Sequence, residues 1–176
     1  MNRPEDHRWH VPVRIDEVPE GGLHLNLVAD AAVRAHLQDL AGLHALPRLE
    51  AGVDLTREGN ALRARGHVSA TVGQTCVVTL EPLENQVAED FDVLFSPASD
   101  DAAGETTTQH DGEEPPEALV DGVADIGPVA AEFFLLGIDR YPRKPGAVFA
   151  PPAEEGSRGS AFAALAKLKR KDDGEP

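Results

Sequence analysis

The sequence predicts an α+β domain in which a mainly antiparallel, curled β-sheet is covered by two helices. Two observations lead to this fold class. Several segments alternate apolar and polar residues and are separated by Gly-containing turns, which is typical of antiparallel strands. Two other segments, at about residues 30–42 and 128–138, place apolar residues at helical spacing. Because the chain has 176 residues, we expect one domain over residues 1–150, followed by a short tail.

The N-terminal part predicts two strands and the first helix. The first strand spans residues 9–15, and it should lie at a sheet edge because Pro12 cannot donate a backbone hydrogen bond. A second strand begins at Leu23, after a Gly-Gly turn. Asp30 is a good N-cap and Gly42 a good C-cap for the helix that follows.

The middle of the chain predicts a β-hairpin. Apolar residues occupy alternate positions over 49–55 and again over 62–72, on either side of a Gly-containing turn. The second arm should continue through the apolar positions of residues 76–80. A further strand is expected over 87–95, where a Ser-Pro pair ends it.

Residues 98–118 predict a disordered acidic loop inside the domain. They have no periodicity and too few apolar residues to offset the entropy cost of ordering. The second helix opens after this loop with a Gly-Pro pair, since proline is tolerated in the first helical turn. We expect residues 151–159 to form a flexible linker, and residues 160–176 a basic C-terminal helix and tail.

Charge is distributed unevenly along the chain. Residues 66–139 contain sixteen acidic residues and no Lys or Arg, whereas residues 140–176 contain eight basic and five acidic residues. The acidic middle is either a solvated surface with a disordered loop or a face for a basic partner such as a ribosomal protein. The net charge of −15 excludes indiscriminate nucleic-acid binding as the main activity, because phosphate contacts need Lys and Arg.

Several classes of protein are disfavoured by composition. A single Cys excludes an internal disulfide framework and any zinc site built on two cysteines of one chain. No apolar run approaches the roughly 18–20 residues of a membrane span, and no secretory signal is recognisable. Common catalytic and phosphate-binding signatures are absent, and the seven His are scattered. We therefore expect a cytoplasmic protein without a cofactor.

Two candidate sites remain. Cys76 is either a buried structural thiol or a nucleophile, and the nearby charged residues of the sequence are acidic, which disfavours a thiolate. A cationic cluster follows the acidic middle, and it is able either to contact RNA or to pair with the acidic residues. It consists of Arg140, Tyr141, Arg143 and Lys144. The basic tail adds Lys167, Lys169, Arg170 and Lys171, which are better placed for RNA or anionic surfaces.

Four motifs occur in an order that resembles the YceD-like family, whose domain was long labelled as of unknown function (number 177). They are 76–82 (CVVTLEP), 92–97 (DVLFSP), 125–133 (DIGPVAAEF) together with 141–143 (YPR), and 161–169 (AFAALAKLK). The resemblance covers about residues 10–170. The family-motif positions within these stretches are Cys76, Leu80, Glu81, Pro82 and Glu132. Many members have a Cys-x-x-Cys pair, but Thr79 replaces the second Cys here, so no metal or redox role is carried over.

The resemblance implies a role in the accumulation of large-subunit (23S) ribosomal RNA and in large-subunit assembly, with no known catalytic residues. The expected partners are a basic ribosomal protein, large-subunit RNA precursor particles, or both. We expect the acidic middle to bind the protein and the basic tail to contact RNA. Two alternatives are a direct RNA-binding protein that uses residues 140–144 and the tail, and an enzyme that depends on Cys76.

Overall fold

The computed structural model describes residues 8–97 and 116–149 of the chain. The elements are β1 (Pro12–Arg14), a 3-10 turn (Ile15–Glu17), β2 (Leu23–Val28), α1 (Ala31–Ala41), β3 (Ala45–Glu58), β4 (Ala61–Thr75), β5 (Pro82–Pro97), β6 (Glu117–Leu119), β7 (Val123–Asp125) and α2 (Ile126–Leu136). Two helices and a mostly antiparallel sheet confirm the predicted α+β class.

The main sheet has five strands in the order β2-β3-β4-β5-β6. Its neighbours are antiparallel except for β5 and β6, which are parallel. The predicted hairpin is confirmed as β3 and β4, in which Leu55 lies opposite Ala64. Gly66 of β4 lies opposite Phe91 of β5, and the Phe91 ring fills the space where a side chain at position 66 would stand.

One face of the sheet is covered and the other is open. The buried residues of both helices, Val33 and Leu37 of α1 and Phe134 of α2 among them, belong to one core cluster with the inward-facing residues of the strands. The other face carries exposed polar residues such as His24 and Asp90. Apolar and polar residues therefore alternate along the strands because only one face is packed.

Capping residues determine where α1 begins and ends, as the sequence predicts. The Asp30 side chain accepts a hydrogen bond of 2.8 Å from the Val33 N–H. Gly42 ends the helix in the left-handed conformation, with φ of 64°, which costs glycine little.

The N-terminal segment holds the start of α2. β1 pairs with β7 in a separate two-stranded sheet, so Pro12 lies on an edge strand as expected. The Ile126 N–H donates to the Val11 carbonyl over 3.0 Å. Asp125 accepts a hydrogen bond of 2.7 Å from the Val11 N–H. The Trp9 backbone lies so close to the first turn of α2 that a Cβ on Gly127 would lie 2.0 Å from the Trp9 carbonyl oxygen.

The predicted extension of β4 through residues 76–80 is wrong. β4 ends at Thr75, and the next residues turn, because the Cys76 N–H donates to the Glu81 carbonyl and the Leu80 N–H to the Cys76 carbonyl, each over 2.9 Å. Consequently β5 begins at Pro82, earlier than the predicted strand. Apolar residues continue at alternate positions in the sequence after the end of β4. The backbone hydrogen bonds within residues 76–81 nevertheless form a turn there instead of a strand.

The predicted acidic loop is too long at its C-terminal end. Glu117 and Ala118 belong to β6, which pairs with the end of β5 and places Glu117 opposite Phe95. Backbone pairing and the burial of Leu119 order this short strand despite its acidic surroundings. The rest of the predicted loop, the linker at 151–159 and the basic tail at 160–176 lie outside the described residues.

Among the described residues, no helix is long and apolar enough to cross a membrane.

Candidate functional site

The loop between β4 and β5 exposes apolar side chains in a strained conformation. Leu80 has a positive φ of 59°, a region that β-carbon sterics disfavour for leucine. Its side chain is not buried in return, since 77% of the residue surface is exposed. Val77 in the same loop is 43% exposed. Such strain persists only where surrounding contacts impose it, and it concentrates at functional sites.

The segment that follows α2 packs against this loop. The Val77 N–H donates to the Pro142 carbonyl over 2.9 Å, and Pro142 is buried. Lys144 Nζ lies 2.9 Å from Glu81 Oε2, and this ammonium group lowers the pKa of the Glu81 carboxyl. Sequence-distant parts of the chain thereby form one surface.

A buried amide fixes the position of that segment. Gln74, at the end of β4, is only 8% exposed, and its Nε2 donates to the Asp139 carbonyl over 2.7 Å. Asn85 of β5 donates to the Gln74 side-chain oxygen over 2.8 Å. Because both polar ends of Gln74 are satisfied, the amide joins two strands to the end of α2 without an unpaired group.

Cys76, the first residue of the loop between β4 and β5, has no exposed surface. Its sulfur accepts hydrogen bonds from the Lys144 N–H at 3.3 Å and the Thr79 N–H at 3.4 Å. The hydrogen bond from Lys144, followed by that from Thr79, lowers the pKa of the Cys76 thiol to about 6, although burial opposes this shift. The predicted burial is confirmed. The expectation that acidic neighbours disfavour a thiolate is not met, because hydrogen bonds from Lys144 and Thr79 lower the pKa of the thiol despite those neighbours.

The cationic cluster is divided by its contacts. Lys144 is paired with Glu81, whereas Arg140 and Arg143 have no ion-pair partner among the described ranges 8–97 and 116–149. Tyr141 is 72% exposed, and the Asp139 side chain accepts a hydrogen bond of 2.8 Å from its N–H. We call the exposed set the loop-end surface, and it comprises Val77, Leu80, Arg140, Tyr141 and Arg143.

The other candidate positions lie elsewhere or are not described. Glu132 is exposed on α2, outside the contacts that build the loop-end surface. Lys167, Lys169, Arg170 and Lys171 lie outside the described residues. No group of three or more metal-ligating side chains comes together among the residues that the structure describes.

One family model matches the chain, over residues 64–169, and its description is large ribosomal RNA subunit accumulation protein YceD. The chain belongs to this family. The matched region includes most of β4, all of β5 and α2, and every residue of the loop-end surface. No curated protein and no solved structure matches the chain. The resemblance drawn from the sequence motifs is therefore confirmed, and the family description names a role in accumulation of the large ribosomal RNA subunit.

Proposed function

We propose that this chain supports the accumulation of large-subunit ribosomal RNA, and with it large-subunit assembly, as a non-enzymatic binding factor of the cytoplasm. The general role follows from the family to which the chain belongs. The observation that carries the binding part is the loop-end surface, where the exposed Tyr141 stands among arginines without ion-pair partners in the described chain.

The chemistry of this surface suits RNA. Arg140 and Arg143 supply planar guanidinium groups that bind phosphate in a bidentate manner and stack on bases. Tyr141 offers a flat ring for base stacking, an interaction worth about 1–3 kcal/mol per base. Because Lys144 is already paired with Glu81, the two arginines supply the charge for phosphate contacts here.

The base of the surface is preorganised for such contacts. Gln74 and the Pro142 carbonyl hold the segment after α2 through hydrogen bonds of 2.7 and 2.9 Å. A fixed backbone lowers the ordering cost that binding otherwise incurs. The basic residues of the tail, Lys167, Lys169, Arg170 and Lys171, lie outside the described residues, and we propose that they add to the RNA contact.

A second candidate partner is a basic ribosomal protein. The observation that favours it is the stretch 66–139, which has sixteen acidic residues and no Lys or Arg. Some of these carboxylates are neutralised within the domain, as Asp92 is by Arg63 and Arg65, each at 2.8 Å. The remaining carboxylates attract a cationic partner and repel RNA, which separates the two kinds of contact on the molecule.

A Cys-dependent enzyme is the less favoured alternative. The lowered pKa of Cys76 favours a thiolate, but the residue has no exposed surface to meet a substrate. We expect the native thiol to react with iodoacetamide far more slowly at neutral pH than the thiol of the unfolded chain. Equal rates would contradict the structural role and support the enzyme.

The proposed function is tested by recovering bound RNA. A tagged full-length chain is retrieved from lysate at low and at high salt, and the RNA and protein bound to it are identified. We expect large-subunit ribosomal RNA at low salt and its loss at high salt, since phosphate contacts release counterions. The double variant Arg140→Glu/Arg143→Glu should recover much less of this RNA.

Arg48→Glu/Arg57→Glu is the matched control, because it reverses two exposed arginines of β3 outside the loop-end surface. It should recover as much RNA as the unaltered chain. If the double variant and the control recover equal amounts, the loop-end surface is not the RNA contact. If the unaltered chain recovers neither large-subunit RNA nor a ribosomal protein, the proposed function itself is wrong.

A further inference from the structure

We infer that the free edge of β5 binds an extended, Lys/Arg-rich segment of a partner protein, which adds to the sheet as a further strand. This inference rests on the protein-binding part of the proposed function and specifies where and how that partner is held. It concerns a part of the sheet outside the loop-end surface.

The edge is long and regular. β5 pairs with β4 from Pro82 to Phe95 with no break in register. On its other side, β5 pairs with β6 only at Phe95–Pro97. Over residues 83–94, no strand of the described ranges 8–97 and 116–149 pairs with this side. At the usual rise per residue, the open edge is roughly 40 Å long.

An open edge of this kind is a template for strand addition. Alternate residues direct their backbone N–H and C=O groups away from β4, so these groups have no ladder partner. β6 already uses the last three residues of the same edge, which shows that the edge accepts a strand. Natural edges are commonly protected by charged side chains, by Pro or by bulges. Over residues 83–94 β5 has no Pro and no bulge, and its charges are all acidic, so they repel another acidic edge but not a cationic strand.

The charge along the edge selects the partner. Glu84, Asp90 and Asp92 share the exposed face of β5, because alternate residues of a strand point to the same side. The Asp90 side chain is 88% exposed, and its Oδ1 lies 2.7 Å from His67 Nδ1. Glu84 has no ion-pair partner in the described chain. Asp92 is already paired with Arg63 and Arg65, so a peptide with Lys or Arg at alternate positions finds its partners in Glu84 and Asp90.

The same charges disfavour a second copy of this chain as the occupant. Two β5 edges placed side by side would bring their rows of carboxylates together, and like charges across a strand pair are destabilising. β2, at the opposite side of the sheet, is a poorer template. It has only six residues, and its exposed face carries His24, Asn26 and Val28 rather than acids.

The test uses the full-length, isotope-labelled chain and a twelve-residue peptide in which Lys and Val alternate. We expect the peptide to slow amide hydrogen exchange within residues 83–94 and to bind more weakly as salt rises. The variant Glu84→Lys/Asp90→Lys should lower its affinity about tenfold, which corresponds to about 1.4 kcal/mol. A peptide in which Glu replaces Lys should not bind.

The matched control is Glu20→Lys/Asp39→Lys, which makes the same change of charge at exposed positions outside β5. It should bind the Lys peptide as the unaltered chain does. Slowed exchange at β2, equal binding of both peptides, equal loss of affinity in both variants, or dimerisation through β5 would each overturn the inference. Recovery of large-subunit RNA from lysate is measured in parallel, so failure at the β5 edge is distinguishable from failure of the proposed function.

Discussion

Leu80 combines two unfavourable features at one residue. Its backbone lies in the left-handed region at φ 59°, and its apolar side chain is 77% exposed. Neither feature stabilises the fold, because the strain costs free energy and the exposed side chain recovers little from burial. We propose that leucine stands at this position of the loop-end surface because it contributes to binding.

Replacement of Leu80 should therefore separate stability from binding. Asn is tolerated in the left-handed region, so Leu80→Asn should leave the free energy of unfolding unchanged within about 0.5 kcal/mol. The same variant should recover less large-subunit RNA. Leu40→Asn changes an exposed leucine of α1 (63% exposed) and should alter neither quantity. Normal RNA recovery by Leu80→Asn would show that the exposed leucine has no part in binding.

Ionisation of Cys76 should make stability depend on pH. Since the folded pKa is lowered to about 6, the thiolate stabilises the fold fully above the ordinary thiol value of about 8.5. That contribution is lost as the pH falls through about 6. Denaturant unfolding at pH 6 and pH 9 should show a larger destabilisation by Cys76→Ala at pH 9. An equal destabilisation at pH 6 and pH 9 would show that the hydrogen bonds to Cys76 do not stabilise a thiolate.

At the scale of elements, the N-terminal segment and α2 depend on each other. Gly127 lies in the first turn of α2, where the Trp9 backbone leaves no room for a side chain. Gly127→Ala should lower the free energy of unfolding by about 1–3 kcal/mol, as overpacking does, although alanine is the better helix former. The measurement is the urea midpoint of the variant. Gly21→Ala, with open space around its new methyl group, is the control and should stay within about 0.5 kcal/mol.

The elements with local signals were predictable from the sequence. α1 has a capping residue at each end, and the β3–β4 hairpin has strict alternation around its turn, so both form where predicted. The turn after Thr75 was missed because apolar residues continue to alternate through residues 76–80. What closes this turn against the rest of the chain is a set of contacts with Pro142 and Lys144, which local periodicity does not contain.

The candidate site was predictable only as a list of residues. Residues 140–144 stand out in the sequence because they are the first cations after a long acidic stretch. Their division into the paired Lys144 and the arginines without ion-pair partners depends on where Glu81 lies in the fold. The open edge of β5 likewise follows from strand order, which a single sequence does not specify.

At the scale of the whole molecule, the proposed partners meet different parts of the surface. The loop-end surface carries arginines and an exposed ring, whereas β5 presents carboxylates along an open sheet edge. Opposite charges on separate surfaces allow one chain to bind RNA and a basic protein together. With a net charge of −15, binding of RNA anywhere except at a locally cationic surface is electrostatically disfavoured.

The most direct test of the central claim is the amount of large-subunit ribosomal RNA in cells that contain only an altered chain. The gene is replaced by the Arg140→Glu/Arg143→Glu variant or by the Arg48→Glu/Arg57→Glu control. The ratio of large- to small-subunit RNA is then measured at equal protein levels. We predict a reduced ratio for the double variant and a normal ratio for the control. A normal ratio in the double variant would contradict the claim that the loop-end surface supports accumulation of the large-subunit RNA.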